Sequence, residues 1–310
     1  MSATRLGPGC AGSENHVNHV NPVQGSLVFR NLAPGGGYDR SWPLCCDDAL
    51  LEANGGSIHI RLTLLRSAFL VGAFAPHAGA QLTLGADVAY YSWKEVTQPL
   101  AVTEHGALLA FDLDYLQQKK SGFLVGYRGR IYFGGAAYAG AQLFAPDVSI
   151  SSTTGYLGTV QEGQLRFRTA GELDLLGAVG ADIWRRQLSS SQGEDYRMLF
   201  VALGFEYNTG GAGVTFGARI NYPVWTVLDA HATAVGLDQN PTLTLGQDLG
   251  ASLEFGYRFA SRLALIGYFE SFRFKASDER PVTRGGGEQG LFFEPAVDTY
   301  LLGVKVEFGR

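Results

Sequence analysis

The chain has 310 residues, room for one large or two ordinary domains, and only 17% of them are charged, with a net charge of -5. A net acidic chain without a basic run argues against nucleic acid as a partner. No stretch approaches the roughly 18 consecutive apolar residues of a membrane-spanning helix; the longest, Ser67 to Pro76, is about half that and suits an export signal or a buried helix.

Residues 1–57 lack sustained periodicity. "PGCAGSENHVNHVNPVQG" and "LAPGGGYDRSWPLCCDDALLEANGGS" read as loop or disorder. The three cysteines, Cys10, Cys45 and Cys46, all fall here. Neither the adjacent pair nor His16 with His19 forms a metal-ligand pattern, so no metal and no cofactor is expected. The next segment, "IRLTLLRSAFLVGAFAPHAGAQ" at 60–81, has the parts of a secretory signal peptide. Arg61 and Arg66 lead, Ser67 to Pro76 is the apolar run, and Ala78-Gly79-Ala80 is the small-residue exit before Gln81. The organisation expected is therefore a non-native or disordered extension at 1–57, a signal peptide at 58–80 and a mature domain at 81–310. A start near 58–62 follows, yet no methionine lies between Met1 and Met198. It requires a non-AUG codon or an upstream frame error, and a cytoplasmic extension ahead of the signal is the rival account.

From Gln81 onward apolar and polar residues alternate, the period of a strand. The predicted strands are about 82–94, 104–117, 122–134, 159–170, 173–187, 195–208, 212–226, 247–259, 262–275 and 297–308. One face carries residues such as Leu82, Leu84, Val88, Leu109, Phe111, Ile131, Leu203, Ile220 and Phe255. The other carries Asp87, Asp112, Asp114, Arg128, Arg130, Arg166, Arg168, Asp182, Glu206, Arg219, Asn221, Asp248, Glu254, Arg258, Glu270, Lys305 and Glu307. Strands this long are unusual in soluble sheets, which average five or six residues. Short links ("QQKKSG", a turn near Gly171, "NTGGAG", "ASR") alternate with mostly longer ones, including 135–158, 227–246 and 276–296. This predicts an all-β chain forming a transmembrane antiparallel up-and-down β-barrel of about 10 strands, with short periplasmic turns and long outer loops. Tyr90, Tyr91, Trp93, Tyr207, Tyr222, Trp225, Tyr257 and Phe259, near strand ends, are expected in interfacial girdles.

The last strand, "YLLGVKVEF", spaces Tyr300, Leu302, Val304, Val306 and Phe308 two apart. It resembles the terminal assembly signal of Gram-negative outer-membrane barrel proteins, with the departure that Gly309 and Arg310 follow the phenylalanine. "GADIWRRQL", "INYPVWT" and "ALIGYFESFRF" are similar to small ten-strand outer-membrane proteins of proteobacteria, a group without an assigned activity. The resemblance covers about 81–310. It implies a place in the cell outer membrane, with membrane lipid, lipopolysaccharide and the barrel-assembly machinery as partners, and an extracellular ligand of unknown kind.

Ten strands enclose a narrow lumen, since eight are already filled by side chains. Charges on the inner face must pair. A salt-bridged plug is the leading expectation, with the barrel serving a structural or surface-interaction role. A thin, porin-like channel for small solutes is the alternative. A third reading rests on Asp229-Ala230-His231, just beyond the predicted seventh strand. It resembles half of the catalytic set of the omptin proteases, in which an Asp-x-His pair and a pair of acids on the opposite wall activate a water. The second half is not in place: the region near the third strand offers Asp147 alone, and Asp112-x-Asp114 lies roughly 20 Å below the rim at about 3.3 Å per residue. A phospholipase would need a serine beside a wall histidine, and after Gln81 the histidines are His105 and His231.

Overall fold

The computed structural model describes residues 28–31, 80–96, 101–118, 122–142, 145–169, 171–209, 211–285 and 287–309. In chain order the strands are β1 (Val28–Asn31), β2 (Ala80–Val96), β3 (Thr103–Gln118), β4 (Phe123–Gln142), β5 (Ala145–Arg168), β6 (Leu173–Gln187) and β7 (Gly193–Asn208). There follow β8 (Gly213–Ala230), β9 (Thr242–Arg258), β10 (Leu263–Ser277), β11 (Arg280–Arg284), β12 (Glu288–Phe293) and β13 (Ala296–Gly309). Strands β2 to β10 and β13 close into a ten-strand antiparallel barrel. Closure comes at β13, which pairs with β10 on one side and β2 on the other, Gly309 opposite Thr83. A small sheet of order β1-β12-β11 is a separate hydrogen-bonded sheet and not part of the wall.

Ala80 opens β2 and Gln81 follows it. Of the expected extension 1–57, only Val28–Asn31 is described, paired with β12. The cysteines, His16, His19 and the signal-like segment up to Gly79 lie outside the described residues.

Both ends of the barrel chain lie at one rim. There β3–β4, β5–β6, β7–β8 and β9–β10 join through short turns. Gly122 (φ 80°) and Gly171 (φ 115°) take left-handed backbone in two of them, a conformation open to glycine without strain. Arg262 (φ 68°) takes it in the last.

The opposite rim differs from the sequence expectation. The segment 135–158 is not a loop: β4 and β5 run on as a hairpin and place Ala136 and Tyr138 opposite Thr154 and Ser152. Its small residues, "GGAAYAGA", mimic a loop in composition, but Tyr138 and Tyr156 keep the inward alternation and are buried. The segment after β10 carries the β11–β12 hairpin, and Val282 and Phe292 of that hairpin are buried against residues of the barrel wall.

Two bulges also change which side chains face inward. In β8, Leu199 pairs with Trp225 and Phe200 with Pro223, leaving Val224 as an extra residue. In β9 the register slips near Asp248, so that Asp248 stands opposite the outward-facing Arg273. The expected inward place of Asp248 is corrected accordingly. Tyr91 and Trp93, expected in an interfacial girdle, are buried inside, because they share the inward parity of Asp87 and Ala89.

Candidate functional site

The lumen holds the concentrated chemistry, and it is built in three levels. Near the rim that carries the chain ends, cations and carboxylates match. Arg128 pairs with Asp114 at 2.7 Å, Arg168 with Asp174 at 2.8 Å, Arg258 with Glu307 at 3.2 Å and Lys305 with Glu307 at 2.8 Å. Arg219 bridges Glu162 (3.0 Å) and Glu206 (2.6 Å), and Arg166 also meets Glu206. Glu254 lies 3.5 Å from Arg128. Six cations (Arg128, Arg166, Arg168, Arg219, Arg258, Lys305) thus face six carboxylates (Asp114, Glu162, Asp174, Glu206, Glu254, Glu307). Cavities of about 180 and 110 Å³ open among them, lined by Gln81, Thr83 and Arg166 with their neighbours.

At mid-height Arg130 gathers three carboxylates. Asp87 lies at 2.9 Å, Glu270 at 3.5 Å and Asp112 at 3.9 Å, and the Arg130 guanidinium also donates to the Tyr268 hydroxyl at 2.6 Å. A fourth carboxylate, Asp182, accepts from the Tyr132 hydroxyl at 3.0 Å and has no cation within 4.0 Å among the described residues. Lys305 stands opposite Asp87 in register, but its ammonium is nearest Glu307.

Above this lies a layer of rings. Trp184 stacks on Tyr196 (centroids 4.6 Å apart, 3° between planes), Tyr91 meets Tyr156 edge-on, and Phe200 meets Phe272. The wall makes space for them with glycine. A Cβ at Gly180 would strike the Phe200 ring, and one at Gly158 would strike the Tyr132 ring. Within this layer sits Arg186, wholly buried, with Glu104 at 2.5 Å, Glu194 at 2.9 Å and Glu95 at 3.2 Å. Its guanidinium lies 4.6 Å over the Trp93 ring. The Tyr196 hydroxyl donates to Glu194 at 3.1 Å and lies 3.3 Å from Glu294, whose amide donates to the Ser277 hydroxyl at 2.9 Å. Burial, and then Glu95 and Glu194 nearby, push the Glu294 carboxyl well above its ordinary range.

The outside of the same wall is apolar. Leu203 is 71% exposed, Val179 67% and Phe255 63%, and Leu82, Leu84, Val88, Leu109, Phe111, Ile131 and Ile220 are exposed with them. So are Tyr300, Leu302, Val304, Val306 and Phe308 of the last strand. Every barrel strand is hydrogen-bonded on both sides, leaving no open edge. A closed wall, greasy outside and ionic inside, is stable only when hydrocarbon surrounds it. The chain is an outer-membrane β-barrel. Its short-turn rim is the periplasmic one, and it crosses with strands; no helix among the described residues is long and apolar enough to do so.

No family model matches the chain, and no curated protein sequence is similar to it. Solved structures similar in fold include the outer membrane protease OmpT from Escherichia coli, 9% identical over 77% of this chain and 99% of that one, with a TM-score of 0.45. The translocator domain of the autotransporter NalP from Neisseria meningitidis is 10% identical over 80% and 95%, with a TM-score of 0.36. The outer membrane protein OprG from Pseudomonas aeruginosa is 12% identical over 74% and 96%, with a TM-score of 0.34.

The barrel separates the residues of the protease reading. Asp114 and Asp112 face the lumen beside Arg128 and Arg130. Beyond the β8 bulge the alternation is reversed, and Asp229 pairs with Arg197 on the outer surface and accepts from Thr242 at 2.7 Å. His231 meets Asp195, 2.8 Å away, on that same surface. The side chain of Asp147 lies outside the described residues. Within the lumen, Asp114 lies across from Arg128 and Asp112 from Arg130 in register, whereas Arg166 and Arg168 turn to Glu206 and Asp174 of later strands. The upper cluster of Arg186, Glu95, Glu104, Glu194 and Glu294 is absent from the sequence reading. The signal was there: Asp182, Trp184 and Arg186 continue one parity in "GADIWRRQL", and "MLFVALGF" is apolar at both parities, the mark of a strand covered on both faces.

Proposed function

We propose that this outer-membrane barrel is closed to solutes and serves as a structural element and surface platform of the cell envelope. One observation carries the reading: Val282 and Phe292 of the β11–β12 hairpin are buried in the same core as Trp93, Tyr196 and Phe274, so a loop seals the outer mouth of a lumen already filled with rings. Below the seal, paired charges occupy the remaining width. The β4 and β5 strands, of 20 and 24 residues, exceed the roughly 9 to 11 that a tilted crossing needs and supply a stalk beyond the membrane. Lys94 is exposed near that rim, where Arg185, Arg197 and Arg273 stand in surface ion pairs with Asp195, Asp229 and Asp298; this mixed surface suits the phosphates and amines of lipopolysaccharide, and the terminal strand suits the barrel-assembly machinery. Planar-bilayer recording of the purified barrel tests closure. The expected record is flat at ordinary voltages. Reproducible single-channel steps would support the narrow channel instead, with the periplasmic cavities as its vestibule.

A further inference from the structure

The closed wall has no open edge, but the β1-β12-β11 sheet at the outer mouth has two. Along β11 the edge is covered. The Asp238 amide donates to the Thr283 carbonyl at 2.9 Å, the Gln239 side-chain amide donates to the Pro281 carbonyl at 3.1 Å, and Leu237 bridges Arg284. These bonds also fix which backbone groups face which way. Within a strand the N–H and C=O of one residue point to one neighbour, and those of the next residue point to the other. Pro281 and Thr283 turn away from β12, so Val282 and Arg284 make the β11–β12 ladder, opposite Gly290 and Glu288. The backbones of Leu291 and Phe293 therefore point to the far edge, where Arg30 and Val28 of β1 stand opposite them. No short turn forces β1 onto β12. Residues 32–79 separate it from β2 in sequence, and β12 is its one ladder partner among the described strands. The edge itself thus accepts an extended strand, as an unpaired row of N–H and C=O groups does. Side chains alternate across it: Gly290 and Phe292 are buried, whereas Leu291 and Phe293 are half-buried on the other face. An added strand meets apolar surface on both faces of the sheet.

We propose that the β12 edge, vacated by β1 when the segment before Gln81 is removed on export, docks an extended segment of a partner protein at the cell surface as an added antiparallel strand, with an apolar residue opposite Phe292. A second mature copy has no β1 to offer, so the partner is a different protein. The site deepens the surface-platform reading and is independent of closure. The test uses the full chain in detergent, with Val28→Pro and Arg30→Pro to strip β1 of the N–H groups that face β12. The probe is a fluorescein-labelled peptide, GSLVFRNLAP, the sequence of residues 25–34, and binding is read by anisotropy. It should bind the double variant saturably and the parent chain at least fivefold more weakly, because β1 competes there. A methyl group on the peptide nitrogen equivalent to that of Arg30 should weaken binding at least tenfold. One on the nitrogen of Phe29, which points away from β12, should change it less than twofold. Leu291→Pro added to the double variant should weaken binding at least tenfold with heat-modifiable gel mobility kept, since its nitrogen faces the edge and not β11. The methylated peptides decide the matter even where that variant does not fold. Absence of saturable binding to the double variant, equal effects of the two methyl groups, or full affinity in a folded Leu291→Pro barrel would each overturn the docking site, and a flat bilayer record beside any of them would leave closure standing. Dimers of the parent chain that are lost on Leu291→Pro would overturn the partner assignment in favour of strand exchange between two copies.

Discussion

The periplasmic and outer halves of the lumen treat charge in opposite ways. In the periplasmic half six cations meet six carboxylates beside open cavities, and several partners keep contact with water, as Arg168 does at 42% exposure. In the outer half two guanidiniums, Arg130 and Arg186, stand against eight carboxylates: Asp87, Asp112, Asp182 and Glu270 around the first, and Glu95, Glu104, Glu194 and Glu294 around the second. Tyrosine and tryptophan donors share the load there, since the Tyr132, Tyr156, Tyr196 and Tyr268 hydroxyls and the Trp93 indole each meet a carboxylate. A hydrated, balanced network tolerates the loss of a member because water replaces it. A dry, acid-rich one has no substitute, and each guanidinium becomes a keystone.

The sharpest test of that contrast is Arg186→Leu. The change leaves Glu95, Glu104 and Glu194 buried without their shared cation, and removing one member of a buried ionic set costs about 3–5 kcal/mol. A large fall in the melting temperature of the detergent-folded barrel is expected, with loss of heat-modifiable mobility at temperatures the parent survives. Adding Glu104→Gln should recover part of the loss. A variant that melts with the parent would mean that the carboxylates are already protonated and that the halves do not differ in the way described.

The periplasmic half was more legible in the sequence than the outer half, and the reason is alternation. Where a strand carries apolar residues on one parity and charges on the other, as in "QLRFR" around Arg166 and Arg168, period two alone assigns each residue to lipid or lumen. In the outer half the lumen is lined with rings, so both parities are apolar and the contrast fades; Tyr91, Trp93, Tyr196 and Phe200 pass for membrane residues. Bulges then reverse the parity in β8 and shift it in β9, which is why Asp229 and His231 sit outside the wall although the motif places them at a rim. The hairpin seal has no local signature either, because Val282 and Phe292 earn their burial only from contacts with strands far along the chain.

The pH response should also separate the halves, by less than the loss of Arg186. Glu294 sits in the link before β13, and its carboxyl is raised in the folded barrel by burial, Glu95 and Glu194. The folded state therefore binds this proton more tightly than the unfolded chain does. Its contribution is whole below the ordinary carboxylate range and is lost as pH rises toward the elevated folded value. The seal should thus be firmest in acid. Melting measured across a pH series should show a downward slope above the ordinary glutamate range, and Glu294→Gln should flatten it. A slope that rises with pH and is unchanged in the variant would remove Glu294 from the account.

The smallest effect is expected where the pair is wettest. Arg168 and Asp174 meet at the periplasmic rim through two hydrogen bonds, of 2.8 and 2.9 Å, with the guanidinium well exposed. Exposed pairs contribute about 0–1 kcal/mol, and salt screens them within a Debye length of about 8–10 Å. Arg168→Leu should therefore shift melting slightly, and the shift should shrink as sodium chloride is raised, while the Arg186→Leu deficit persists because no counterion reaches a residue without exposed surface. The salt series matters more than either single value. If both deficits fade together, water and ions penetrate the outer half as freely as the periplasmic one, and its rings do not keep it dry.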